Sequence, residues 1–376
     1  MTTHRHANGG FDSLRSDTDL KTKRLMLFLM LVLGALFLGA CSGQPLANNW
    51  PGLAADAERA YLSIGTFIYA VDVKTGEEVW RYPAEADNSV LFYANPTLTE
   101  DGQLLIGSVG SAHSFVSLDA ATGRENWAEP FTGAKGAWVA SPLVMGDTIY
   151  APNTDGFLYI LGMDGKQIAD PIELGGSLWS APATDGDLLY VTSLDHHLHI
   201  IDPTNGASSE PIDLGGALPD SPAVGEEGVY VGSFASTIEF VTPGGDHKVL
   251  ANASNWVWGT PALDGETLYY ADLSGNVYSL DLATGSQNWG VVQPDGPIAA
   301  RPLVVGEQIY IATEEGTFYA LDRDGKIVWD KETGGKIYTT PVLSGDLILV
   351  APYQAEFALA AYDAEGKQAW TFTPEK

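Results

Sequence analysis

The chain has 376 residues, of which 45% are hydrophobic, so it can bury a large core. Its net charge is −29, and without the first forty residues 14 basic side chains face 45 acidic ones, or −31. A surface this acidic excludes nucleic acid as a partner, because that binding neutralises phosphates. The single cysteine, Cys41, excludes an intramolecular disulfide and any cysteine-rich metal centre.

Residues 1–19 form a polar lead-in. Lys21, Lys23 and Arg24 then precede an apolar run from Leu25 to Leu38, followed by Gly39, Ala40 and Cys41. A basic segment, an apolar stretch too short to span a bilayer and small residues at its end predict a secretory signal over residues 1–40. Leu38-Gly39-Ala40-Cys41 resembles the lipobox of bacterial lipoproteins, which implies cleavage before Cys41 and acylation of that residue. His4 and His6 leave with the signal, and residues 41–50 are expected to form a lipidated linker.

From Pro51 to the end the chain repeats with a period of about 40 residues. Pro51, Pro96, Pro142, Pro182, Pro222, Pro261, Pro302 and Pro341 mark eight copies, Pro51 being the least regular. An Asp follows 20 to 23 residues after all but the fifth, at Asp72, Asp119, Asp164, Asp202, Asp281, Asp322 and Asp363. Each copy reads as four short strands separated by glycine turns such as Thr154-Asp155-Gly156 and Ser274-Gly275-Asn276. One such unit cannot bury both faces, but a closed ring can. The expectation is an all-β, eight-bladed propeller of four-stranded antiparallel blades over residues 51–376, with no strand exchanged between the first and last copies.

The element Leu-Asp-x-x-Thr-Gly-x-x-x-Trp occurs at Leu118–Trp127 and Leu280–Trp289. It also occurs at the same spacing, with Val71 for Leu, at Val71–Trp80, and in shortened form ending at Trp329 and Trp370. It resembles the repeat of pyrroloquinoline-quinone-type propellers. That resemblance implies that Asp and Gly shape a tight turn and that Trp80, Trp127, Trp289, Trp329 and Trp370 dock neighbouring blades. Copies three to five lack the Trp, and two of them share Pro-Ile-acidic-Leu-Gly-Gly at Pro171–Gly176 and Pro211–Gly216.

Relatives with quinone-dependent dehydrogenase activity hold their cofactor with calcium and often a disulfide, and this chain has no second cysteine. Asp322-Arg323-Asp324-Gly325 reads as a turn rather than a calcium loop. Asp195-His196-His197-Leu198-His199 puts two imidazoles on one strand face, a pattern that zinc or copper also uses, but a polar rim accounts for it. No metal and no cofactor is expected.

The segments before each proline carry the candidate binding residues Tyr93, Trp138, Trp179, Asp220, Trp258, Arg301 and Tyr338, with Phe92 and Trp256 beside them. The loops between second and third strands add Asp155, Asp195, His196, Glu314 and Glu315. Aromatics and a few charges around a channel mouth suit a ligand or peptide. Anchor, length and repeat together resemble the propeller lipoproteins of the outer-membrane β-barrel assembly machinery, which implies a non-catalytic scaffold, a protein or peptide partner and a membrane held through the lipid. A quinoprotein-type oxidoreductase and a carbohydrate- or ligand-binding sensor are the alternatives.

Overall fold

The computed structural model describes residues 50–375, so the predicted signal and Cys41 lie outside the described residues. These residues form eight antiparallel sheets in chain order, and all regular structure is β. The blades span 52–82, 97–119, 143–173, 183–213, 223–252, 262–281, 303–332 and 342–372. Each begins just after one of the eight prolines, Pro51 included. The first strands of blades 1 and 2, 4 and 5, 5 and 6, and 6 and 7 lie side by side, and that of blade 1 packs beside that of blade 8, as expected of innermost strands that circle a central axis.

Four-stranded blades were expected throughout, and three depart: blade 4 has five strands, its third strand His197–Asp202 pairing with both Ala207–Ser208 and Ile212–Asp213. Blades 2 and 6 keep three strands, their fourth reduced to isolated bridges such as Leu118 with Glu125 and Leu280 with Gln287. Blades 1 and 8 are each one continuous segment, so no strand is exchanged at closure.

The hydrophobic core is divided into eight clusters, one at each seam between adjacent blades. This follows from strand alternation: each sheet has two apolar faces, and each finds a partner only in the next blade.

At five seams the motif tryptophan closes the outer end. Its indole N–H donates to a backbone carbonyl of the next blade: Trp80 to Ala120, Trp127 to Met163, Trp289 to Arg323, Trp329 to Ala364 and Trp370 to Val73, at 2.7 to 3.1 Å. Its ring lies on the turn glycine of that blade. A Cβ at Gly123, Gly165, Gly325, Gly366 or Gly76 would come within 2.8 Å of the indole, so the turn glycine serves close approach as well as its positive φ. The preceding Asp caps the same turn: Asp72 Oδ1 accepts from the amides of Lys74 and Thr75, and Asp322 Oδ1 from those of Asp324 and Lys326. The Asp322 loop is thus a turn, as its place in the repeat implies.

The arc without tryptophan has its own solution at two seams. Ile172 Cδ1 approaches Gly206, and Ile212 Cδ1 approaches Gly245, at 3.7 and 3.5 Å from where a Cβ would stand. The shared Pro-Ile-acidic-Leu-Gly-Gly segment therefore supplies a smaller apolar cap. At the seam between blades 5 and 6 nothing comes within 4 Å of that point on Gly285.

Candidate functional site

Seven lead-in segments run from the rim down to the proline that starts each innermost strand, and their side chains sort by position. The fourth residue before the proline is apolar and fully buried in a seam: Phe92, Trp138, Leu178, Leu218, Val257, Ile298 and Ile337. The third residue before it (Tyr93, Val139, Trp179, Pro219, Trp258, Ala299 or Tyr338) points the other way, since backbone this extended alternates its side chains. Tyr93, Val139, Trp179, Trp258 and Tyr338 are half-buried.

This register corrects two expectations. Trp138 is 0% exposed, its N–H donates to the His113 carbonyl at 2.9 Å, and Phe115, Phe131 and Tyr159 surround its ring. It is the seam residue between blades 2 and 3 and meets no ligand from outside; Val139 takes the mouth position. Phe92 is likewise a seam residue at 0% exposure.

The loops joining second and third strands share this face with the lead-ins. Thr154 N donates to the Ala137 carbonyl, Leu194 N to Ser177, Phe234 N to Ala217, Leu273 N to Trp256 and Glu314 N to Pro297. Asp155 is spent in this lacing, its Oδ2 accepting from the Lys135 amide and the Tyr159 hydroxyl. On the arc of blades 5 and 6, Phe234 stacks on Trp256 with centroids 4.5 Å apart and 12° between planes, and Trp258 lies 5.3 Å from the same ring. Trp256 is 48% exposed, the largest ring among the exposed hydrophobics.

Residues directly before the prolines tie the blades together around the axis. Ser141 Oγ donates to the Asn95 carbonyl, Ser221 Oγ to Ala181 and Thr260 Oγ1 to Ser221, each at 2.8 Å. Arg301 N donates to Thr340 Oγ1 at 3.1 Å, and Thr339, one residue further from its proline, bonds through Oγ1 to the Pro51 carbonyl across the closing seam. Arg301 is the one cation at this position, where the other blades carry small polar residues, alanine or Trp50. Its guanidinium meets water but is crowded by protein, so desolvation pulls its pKa down while the negative charge of Asp220 opposes the change.

Asp220 occupies the second position before the proline, where the other blades have Asn, Ala, Ser, Gly or Thr. Its Oδ1 accepts from Ser221 N and its Oδ2 from Thr260 N, both at 2.8 Å. Burial raises its carboxyl pKa against these bonds. Asp220 thus braces blade 5 against blade 6, and it acts on Arg301 through space.

The histidine run does not converge. His197 Nδ1 lies 3.2 Å from Asp195, whereas His199 is 2% exposed and neither ring nitrogen has a hydrogen-bond partner. Among the described residues no three His, Cys, Asp or Glu side chains are placed to hold a metal ion.

Sequence reasoning missed Trp50, which it placed in the linker. Its ring lies 5.7 Å from Tyr93, 6.5 Å from Trp179 and 6.4 Å from Tyr338. Trp50 stands directly before its proline, whereas the aromatics of the later copies stand three to five residues before theirs, so the repeat did not mark it.

Fold, seam tryptophans and laced channel mouth define the class: an eight-bladed propeller of pyrroloquinoline-quinone-like repeats. Within that class the chain belongs to the family described as outer membrane protein assembly factor BamB, whose sequence model matches residues 68–291 and 292–376. The BamB protein of Burkholderia pseudomallei (strain K96243) is 26% identical over 114 residues, 30% of this chain and 29% of that one. That of Bordetella pertussis (strain Tohama I) is 28% identical over 112 residues, 30% and 28% of the two chains. The matched stretch thus spans less than a third of each relative. Among solved structures, BamB from Moraxella catarrhalis superposes with a TM-score of 0.66 at 16% identity, covering 84% of this chain and 93% of that one. The computationally designed Ika8 protein superposes as well, at 0.67 and 13% identity over 84% and 96%. A designed protein matching this closely makes these superpositions evidence of fold alone.

Proposed function

We propose that this protein is a non-catalytic, extracytoplasmic scaffold, tethered to a membrane through an acylated Cys41, that holds a protein partner during outer-membrane protein assembly. The observation that carries this reading is the distribution of aromatics on one face. Tyr93, Trp179, Trp258 and Tyr338 stand at the mouth rather than in the seams, and Trp256 is exposed beside them. Exposed, stacked rings over rigid blades are the usual anchors of a protein interface, because they bury large area at small entropic cost. Membership of the assembly-factor family supports the choice of process. The acidic body supports a neutral or basic partner surface.

The test is capture of the full-length protein from gently solubilised membranes. A stoichiometric protein partner is expected, lost or weakened about tenfold in Trp256→Ala, since an interface ring of this kind contributes on the order of 1–2 kcal/mol or more. Recovery of the protein alone, or capture indifferent to Trp256, overturns the reading. A Cys41→Ala form that remains in the membrane fraction overturns the tether.

A further inference from the structure

The ring of Trp50 touches Trp179, which leads into blade 4, and Tyr338, which leads into blade 8. In an eight-bladed ring these two blades lie on opposite sides of the axis, so a side chain within 6.5 Å of both sits across the channel mouth. Tyr93 from blade 2 closes a third side at 5.7 Å. The mouth therefore already holds an indole, supplied by the residue where the N-terminal segment joins the propeller.

This indole is held unlike the seam tryptophans. Each of those lies flat on a glycine and donates its N–H across a seam. Trp50 is half-buried, with tilted rings around it at 45 to 52° and centroid distances of 5.7 to 6.5 Å, none of them a close stack. Its ring contacts reach three separate blades, while the seams of those blades are closed by other residues. Removing Trp50 from the mouth leaves all eight seams intact.

We propose that the channel mouth is a receptor for an aromatic side chain of an extended peptide, and that Trp50 is its resident, exchangeable occupant. The peptide segment is neutral or basic, because the body it approaches is strongly acidic. A partner ring must displace Trp50, so apparent affinity is reduced by the fraction of molecules whose mouth is open. This deepens the scaffold reading above and rests on it for the nature of the ligand.

The experiment uses the full chain and two labelled probes, acetyl-Gly-Ser-Trp-Ser-Lys-amide and the same peptide with Ala for Trp, followed by fluorescence anisotropy. Trp50→Ala is expected to bind the Trp peptide about tenfold more tightly than the unaltered chain. Trp50→Phe, which keeps a ring in the mouth, stays near the unaltered value. Adding Trp179→Ala to Trp50→Ala removes the gain, and the Ala peptide shows none. Equal affinity of the unaltered chain and Trp50→Ala for the Trp peptide overturns the proposal, as does an equal gain for both peptides. Should Trp50→Ala not fold, the 19F resonance of 5-fluoro-Trp50 in the unaltered chain, identified by its loss in Trp50→Phe, must move when the Trp peptide is added; constancy overturns the proposal. A gain with the peptide but no partner captured from membranes sinks the scaffold reading and leaves the exchangeable occupant. Capture without the gain does the reverse.

Discussion

The indole N–H of Trp370 donates to the Val73 carbonyl at 2.7 Å, joining the last blade to the first across 297 residues of chain. Since no strand crosses this seam, closure rests on that bond, on the packing around it and on bonds from Thr339 to Pro51 and Ser344 to Asp56. Trp370→Ala is expected to cost about 3–5 kcal/mol. Trp329→Ala removes a comparable indole from an internal seam, where the flanking blades remain joined by the chain itself. Hydrogen exchange separates the two: Trp370→Ala should deprotect blades 1 and 8 first, and Trp329→Ala blades 7 and 8.

Gly76 and Gly285 occupy the same turn with φ of +74° and +70°. A Cβ on Gly76 would stand 2.7 Å from the Trp370 ring, whereas Gly285 has open space there. Gly285→Ala therefore carries only the left-handed backbone cost of about 1–2 kcal/mol. Gly76→Ala adds displacement of the indole and is expected to lose a further 1–3 kcal/mol or so. Denaturant titration of both variants measures the difference; equal losses would remove the indole from the account.

Trp138 and Trp179 stand in corresponding lead-ins but one position apart. Trp138→Ala opens a cavity in the seam between blades 2 and 3 and is expected to cost about 3–5 kcal/mol. Trp179→Ala strips a half-buried ring from the mouth and is expected to cost about 1 kcal/mol or less, with its larger effect on binding. Thermal unfolding of the two variants ranks them directly.

That pair also shows where the sequence was legible. The seam tryptophans announced themselves because Asp, Gly and Trp recur together at fixed spacing, and each of the five donates its indole N–H to the next blade. The mouth was legible as a region but not residue by residue. In extended backbone a shift of one position exchanges buried for open, and Trp138 beside Val139 carries no local mark of which way it faces. Trp50 was hidden for another reason: what gives it a role is contact with blades 2, 4 and 8, which only ring closure brings together. The seams capped by Ile172 and Ile212 required the same long-range pairing to be understood.

His199 gives the protein a pH dependence with a definite sign. Burial in the middle of its strand pulls the imidazole pKa down, and nearby His197 pulls it further, against the field of Asp195. In the unfolded chain the same group takes a proton near pH 6.5. As pH falls through that value the unfolded state binds a proton that the folded state refuses, so this residue subtracts stability below about pH 6.5 and is without effect on the slope above it. The loss continues, at up to about 1.4 kcal/mol per pH unit, until the depressed folded pKa is reached. Neither ring nitrogen has a partner, so the neutral imidazole also leaves a buried N–H unsatisfied. His199→Leu removes both costs with little change in volume. At pH 7.5 it is expected to gain on the order of 1 kcal/mol from the unsatisfied group alone. At pH 5.5 the gain should be larger by roughly 1 kcal/mol. Urea titrations of the two proteins at these pH values check it: a gain that shrinks on acidification would mean that the imidazole is protonated and paired in the folded state.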